Sequence, residues 1–315
     1  MNKDNHLAPK TLQEAIKLFS DDLVCINFIA SLRWSDGIAV CPRCQSKRTS
    51  FLQTRKIWKC LDCKKQFSVK VGTIFEDSPI GLDKWLCAIW LITNCKNGVS
   101  SYEIHRAIGV TQKTAWFMLH RIRVAMQTGS FEKMSGTVEA DETFVGGKAK
   151  NMHKSKREKK IQGRGSVGKT AVMGILERKG KVHAKVITDL TQETLQGEIK
   201  ERVKVGSKVY TDEWRSYQGL SDEYIHEVVC HSIEEYVRGN VHTNGIENFW
   251  TLLKRTISGT YVSVEPFHLN KYVAEQTFRY NERKDNDKGR FHKVVSGISG
   301  KRLTYEQLIG YETSF

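Results

Sequence analysis

Two CxxC pairs constrain this chain more than any other feature. Cys41-Pro-Arg-Cys44 and Cys60-Leu-Asp-Cys63 stand fifteen residues apart, in a segment too short to bury a core of its own. Each CxxC turn can aim two thiolates at one point, so four sulfurs can share a tetrahedral metal. The spacing is that of a four-cysteine zinc site, where metal binding supplies folding energy. Strand-like pieces at 49–53, 56–59 and 66–71 complete the outline of a zinc ribbon over 36–76. Cys41, Cys44, Cys60 and Cys63 are therefore expected to hold a structural Zn²⁺. Cys25, Cys87, Cys95 and Cys230 fall in no such pattern and read as small core residues.

A structural metal does no chemistry, so function must come from what surrounds it. Arg43, Lys47, Arg48, Arg55, Lys56, Lys59, Lys64 and Lys65 crowd the ligands, and the whole chain carries a net charge of +15. That balance favours a polyanionic partner. A hydrophobic fraction of 39% with 4 Pro excludes a disordered or collagen-like chain. The longest apolar stretch, 85–92, falls far short of the ~20 residues a membrane-spanning helix needs. The opening MNKDNHLAPK lacks the apolar centre of a secretory signal. A cytoplasmic chain with free thiols and no membrane partner is expected.

Two helical stretches flank the ribbon. Thr11 and Glu14 form a capping-box start for a helical lead-in over 1–35. After the ribbon, 83–94 reads as an apolar core helix. Ser100 and Glu103 form another capping box, Gly109 breaks the pattern, and Thr111 can cap a second helix. Ala115, Met118, Leu119, Ile122 and Met126 then recur at helical spacing, while Lys113, His120, Arg121 and Arg123 lie off that stripe. An apolar back with a basic front suits the recognition helix of a helix-turn-helix over 77–130, with Lys113, Arg121 and Arg123 as DNA contacts.

From Gly136 onward the periodicity changes. Segments 137–145, 171–177 and 182–188 read as strands, 192–203 as a helix, and 208–212 and 224–230 as further strands. The order predicts an α/β layer with a mixed sheet, which fits a ribonuclease-H-like core over 136–290, leaving 291–315 as a C-terminal tail.

Two of these strands carry carboxylates, Asp141 in VEADETF and Asp212 in VYTDEW. An acid at a sheet position is costly unless it caps a turn, meets a cation or serves an active site. A third acid, Glu247, lies in HTNGIENFWTLLKR. There Ile246, Phe249, Trp250, Leu253 and Ile257 share one helical face, and Asn244, Glu247, Thr251 and Lys254 form the adjacent stripe. The helix can pack its apolar side on the sheet while Glu247 and Lys254 project along the sheet edge. Three such carboxylates suit hard divalent cations, and two Mg²⁺ ions can drive displacement at a phosphodiester. Between the first two strands, Lys148, Lys150, Lys154, Lys156, Arg157, Lys159, Lys160, Arg164 and Lys169 face a single acid, Glu158. This segment is a solvated loop that can lie along a DNA backbone. Trp214 and Trp250 read first as core aromatics, with base stacking a second role for Trp214.

With these parts assembled, the chain resembles an insertion-sequence transposase of the DDE class, of the family numbered fifteen ninety-five with its ISXO-like catalytic domain. RWSDG, CPRC, FSVKVGTIFEDS, VEADETFVGGK, VYTDEW, HTNGIENFWTLLKR and GTYVSV carry the likeness in order. The resemblance implies a DNA transposase of the prokaryotic nucleoid that binds terminal inverted repeats and target DNA. It implies Mg²⁺-dependent hydrolysis and strand transfer, Mn²⁺ being able to substitute; because two ends must be held together, a homo-oligomer on DNA is expected. Asp141, Asp212 and Glu247 match the metal-binding triad, and Lys254 the basic residue that follows it. Asn244, one turn before Glu247, is the alternative third ligand, and Glu139 and Glu142 are weaker alternates. Two other functions fit parts of the sequence: a DNA-binding regulator with a silent core, and a structure-specific nuclease.

Overall fold

The computed structural model describes residues 8–127, 132–147, 153–155, 168–229 and 241–310. These divide into two compact units, one made of 1–128 with 284–315, the other of 129–283.

In the first unit the lead-in is two helices, α1 (Leu12–Leu18) and α2 (Asp22–Arg33). Thr11 accepts the N–H of Glu14, but the Glu14 carboxylate takes the N–H of Lys10 rather than that of Thr11, so the expected capping box is incomplete. Asp21 caps α2 through the N–H groups of Leu23 and Val24. The ribbon is a three-stranded antiparallel sheet of β1 (Thr49–Leu52), β2 (Ile57–Cys60) and β3 (Gln66–Phe67). Three helices follow: α3 (Leu82–Asn94), α4 (Ser101–Ile108) and α5 (Gln112–Met126). The Ser100–Glu103 capping box is complete, and Thr111 caps α5. Trp85, Leu86, Ile89 and Ile92 of α3 and the predicted stripe of α5 are buried.

The basic front expected on α5 is not a surface. Arg121 and Arg123 are 4% and 1% exposed, and His120 is buried with them. Arg121 donates to the carbonyls of Leu303, Ile74 and Glu76, and its guanidinium lies 4.4 Å from the Phe117 ring centroid. A guanidinium has five donors, enough to satisfy several buried carbonyls at once. This corrects the expectation that Arg121 and Arg123 face DNA; Lys113 alone of the three is exposed, with its amine 4.9 Å from the Tyr305 ring centroid.

The second unit holds a five-stranded sheet. β4 (Thr137–Val145), β5 (Thr170–Glu177) and β6 (Val182–Val186) are successive antiparallel neighbours. After α6 (Gln192–Arg202), β7 (Lys208–Asp212) pairs parallel to β4, and β8 (Ile225–Val229) parallel to β7. The strand order is β6-β5-β4-β7-β8. α7 (Asn244–Thr256) and α8 (Pro266–Asn281) follow.

Alternation along the strands makes two cores. Val138, Ala140, Met173, Ile175 and Val209 pack with Leu195 and Ile199 of α6. Val172, Leu176, Val182 and Ala184 pack with Ile246, Phe249, Trp250 and Leu253 of α7 and with Leu269 and Val273 of α8.

Residues 291–310 of the expected C-terminal tail hold structured helix. α9 (Asp287–Ser296) and α10 (Tyr305–Ile309) belong to the first unit. Phe291 is buried there, its ring centroid 5.9 Å from Phe19, 6.1 Å from Phe28 and 5.4 Å from Trp90. No helix among the described residues is long and apolar enough to cross a membrane.

Candidate active site and zinc centre

The two CxxC turns are built alike. Cys41 N–H donates to Ser46 O and Cys60 N–H to Lys65 O, both at 2.9 Å. Gln45 and Lys64, each one residue past the second cysteine of its pair, adopt left-handed φ values of 59° and 60°. These matching turns bring Cys41 Sγ within 3.7 Å of Cys63 Sγ and Cys44 Sγ within 3.6 Å of Cys60 Sγ. All four sulfurs lie within 4.8 Å of one another. A tetrahedron with Zn–S bonds of about 2.3 Å has edges of roughly 3.8 Å, so the quartet fits zinc. Burial pushes the Cys60 thiol up, but the N–H groups of Cys63 and Asp62 bring it down to about 7, toward the thiolate a metal requires. Several of the surrounding cations are paired on the surface: Lys47 with Asp36, Arg48 with Asp62 and Lys56 with Asp22. Of the other cysteines, Cys25 is buried, Cys87 and Cys95 are half-buried, and Cys230 lies outside the described residues.

In the second unit the acids are set by register. β4 and β7 pair as Val138↔Val209 and Glu139↔Tyr210. Carried two residues on, this parallel register sets Asp141 and Asp212 on neighbouring strands and on the same sheet face. That face is the one α7 covers. A cleft of about 350 Å³ opens beside it, lined by Asp141, Glu142, Thr143, Glu247, Trp250, Thr251 and Lys254. Glu247 and Lys254 are exposed on the helix, and Thr243 donates to Glu247 Oε1 at 3.0 Å. Asn244 is exposed on the same stripe, one turn earlier, but does not line the cleft.

Asp141 is half-buried and accepts the indole N–H of Trp250 on Oδ2 at 2.9 Å. Desolvation, with the neighbouring charges of Asp212 and Glu247, raises its carboxyl to about 6. The charges of Asp212 and Glu247 are thus both felt at Asp141. Among the described residues the cysteine quartet is the one group of Cys, His, Asp and Glu gathered closely enough to hold a metal. Asp212 Oδ1 accepts the N–H of Trp214 at 3.1 Å, the strand-end turn that an ordinary aspartate makes. Trp214 itself is 50% exposed and is not a core residue.

Glu139 is committed elsewhere, whereas Glu142 lines the cleft. Glu139 is buried, paired with Arg178 at 2.7 Å, and accepts the Ile246 N–H at 3.0 Å. Arg178 also donates to His242 O and stacks 4.7 Å from the Tyr210 ring centroid. Glu142, next to Asp141 on β4, also accepts the Tyr217 hydroxyl. Burial lifts the Glu142 carboxyl to about 8 and holds the Tyr217 phenol well above its usual range. Sequence reading gave no sign of Tyr217 or Arg178, whose partners lie 75 and 39 residues away. Of the basic segment, Lys154 is described and exposed, whereas Lys156, Arg157, Lys159 and Lys160 lie outside the described residues.

Comparison with known proteins fixes the family. Residues 133–281 match the ISXO2-like transposase domain, and residues 20–66 the transposase zinc-ribbon domain. A transposase-like protein of Haemophilus influenzae is 35% identical over 104 residues, 33% of this chain and 83% of that protein. The chain belongs to the ISXO2-like transposase family. A protein in transposable element ISH50 of Halobacterium salinarum is 28% identical over 255 residues, 77% of this chain and 85% of the relative. Within this transposase-family chain, Asp141, Asp212, Glu247 and Lys254 all fall inside the matched transposase domain, and the four cysteines inside the matched ribbon.

Proposed function

We propose that this chain is a DNA transposase that binds the terminal inverted repeats of an insertion sequence and catalyses phosphodiester hydrolysis and strand transfer. The observation that carries this reading is the convergence of Asp141, Glu247 and Lys254 on one open cleft, with the charge of Asp212 felt at Asp141, inside the transposase domain. Three antiparallel strands followed by two parallel ones, with helices on both faces, support a ribonuclease-H-like fold for this unit.

Asp141, Asp212 and Glu247 would hold the catalytic Mg²⁺ ions, because their oxygens are the donors a hard cation takes. When bound, Mg²⁺, or Mn²⁺ in its place, supplies a more acidic attacking water or hydroxyl and positive charge for the leaving oxygen. Glu247 is preferred to Asn244 as third ligand because it is a carboxylate and lines the cleft. Lys254, exposed two turns beyond Glu247 on the same stripe, binds a DNA phosphate beside the cut. The zinc ribbon, Lys113 on the α4–α5 helix pair and the basic residues around Lys154 supply DNA affinity, most of it from phosphates. Transposition must hold two element ends together, so the DNA-bound form is a homo-oligomer, acting on the nucleoid in the cytoplasm.

The test is incubation of labelled terminal-repeat duplex with the protein and Mg²⁺. The reading predicts strand cleavage that a chelator stops, followed by joined product. Tight DNA binding without cleavage would instead mark a regulator with a silent core. Hydrolysis that never yields joined product would mark a nuclease.

A further inference from the structure

Trp250 is four residues past Ile246 on the α7 face that packs on the sheet, and it is 4% exposed. A buried indole needs a partner for its N–H. Here that partner is Asp141 Oδ2, 109 residues away, at 2.9 Å. The six-membered end of the indole rests on β5 at Gly174, the residue paired with Asp141 across β4–β5. A Cβ at Gly174 would stand 2.6 Å from Trp250 Cη2 and Cζ2 and 2.8 Å from Ile246 Cδ1. Only a glycine lets the ring lie this close, and ring and carboxylate are thereby fixed in one arrangement.

We infer that Trp250 is a positioning residue: its indole N–H, seated on Gly174, holds one oxygen of Asp141 and aims the carboxylate at the cleft where a divalent cation binds. The inference rests on the transposase reading of that cleft. A carboxylate on a flexible rotor must be ordered each time a metal binds, whereas one already held by a hydrogen bond and a packed ring is preorganised. Partners of this kind around metal ligands govern affinity and rate without touching the metal. The same bond links α7 to β4, so the helix that carries Glu247 is tied directly to the strand that carries Asp141.

The experiment compares full-length wild type, Trp250→Phe and Gly174→Ala. Binding of Mn²⁺ alone is read from the electron paramagnetic resonance of the unbound ion, and cleavage of terminal-repeat duplex gives kcat and KM. Trp250→Phe keeps an aromatic ring but has no N–H. Its Mn²⁺ affinity and kcat are expected to fall about 10- to 100-fold, with KM for DNA unchanged and circular dichroism like wild type. Gly174→Ala keeps the N–H but displaces the ring, and is expected to lose Mn²⁺ affinity in the same direction. Wild-type Mn²⁺ affinity and kcat in a folded Trp250→Phe protein would overturn the inference, since a purely packing role predicts only lower stability. If Trp250→Phe does not fold, Gly174→Ala decides on the same two readouts. A wild-type protein that neither binds Mn²⁺ nor cuts would instead overturn the transposase reading itself.

Discussion

Glu139 Oε2 accepts the backbone N–H of Ile246 at 3.0 Å, which fastens the first turn of α7 to β4. The same carboxylate is paired with Arg178. Gly245 allows the approach, because a Cβ there would meet Glu139 Oε2 at 2.7 Å and Leu176 Cδ2 at 2.5 Å. Glu139 is thus a structural acid two residues from a candidate catalytic one. Glu139→Ala leaves a half-buried guanidinium and a helix N–H without their carboxylate. We expect it to cost about 3–5 kcal/mol and to lower the melting temperature by on the order of 10 °C. An unchanged melt would refute this anchoring role.

Asp141→Asn and Asp212→Asn should each reduce Mg²⁺-dependent cleavage of terminal-repeat duplex by more than about 100-fold. DNA binding in a gel-shift assay should persist, because the proposed phosphate contacts lie mostly elsewhere. Cleavage at the wild-type rate in either variant would show that these acids are not metal ligands.

Burial raises Asp141 from an ordinary 3.8 to about 6 and Glu142 from 4.5 to about 8. Across these windows the two carboxyls of the folded, metal-free protein keep protons that the unfolded chain has lost, so their contribution to stability falls as pH rises from about 4 to about 8. Below about pH 6.5 this is opposed by His183, which burial lowers to about 4. Asp141→Asn removes the lower part of this loss and should stabilise the metal-free protein at neutral pH by up to about 3 kcal/mol. Thermal melts at pH 5, 7 and 8 in a chelator read the effect. A melting temperature that climbs with pH over this range would contradict it.

Cys41→Ser or Cys60→Ser should release one zinc per chain, measured by metal analysis, and weaken binding to terminal-repeat DNA. The second unit has its own two cores and should keep its fold, visible as a retained melting transition. Full zinc content in either variant would show that the cysteine does not bind the metal.

Arg121 and Lys113, both expected at first to face DNA, should behave oppositely. Arg121→Met strips the partner from buried carbonyls of Leu303, Ile74 and Glu76, and each unsatisfied carbonyl costs about 1–3 kcal/mol. Lys113→Ala should leave the melt unchanged and weaken binding to all DNA sequences alike, with a shallower salt dependence. A stable Arg121→Met protein with selectively lost end binding would restore the DNA-reading role.

What the sequence disclosed, and what it hid, has a physical pattern. Most local signals held: the Ser100–Glu103 box, the Thr111 cap and the α5 stripe depend on residues three or four apart, although the Thr11–Glu14 box closed on one side only. The CxxC turns belong to the same class, since each is a closed local loop. The sheet strands were legible from alternation, and the two aspartates from being out of place in it. Long-range demands were not legible. A buried arginine such as Arg121 looks like a surface one until the carbonyls of Ile74 and Leu303 are known to surround it. Glu139, Asp141 and Glu142 are near neighbours in one string, yet their partners are Arg178, Trp250 and Tyr217, from three separate elements. The periodicity of α7 put Trp250 in the core, where it is, but could not say what its N–H would find.

The return of the chain to its first unit has a genetic consequence. Phe291, Val294 and Val295 fill the centre of that unit and are encoded after the whole matched transposase domain. A premature stop or frameshift ahead of them would therefore leave an N-terminal product with a hole where Phe19, Phe28 and Trp90 meet, and so open to proteolysis.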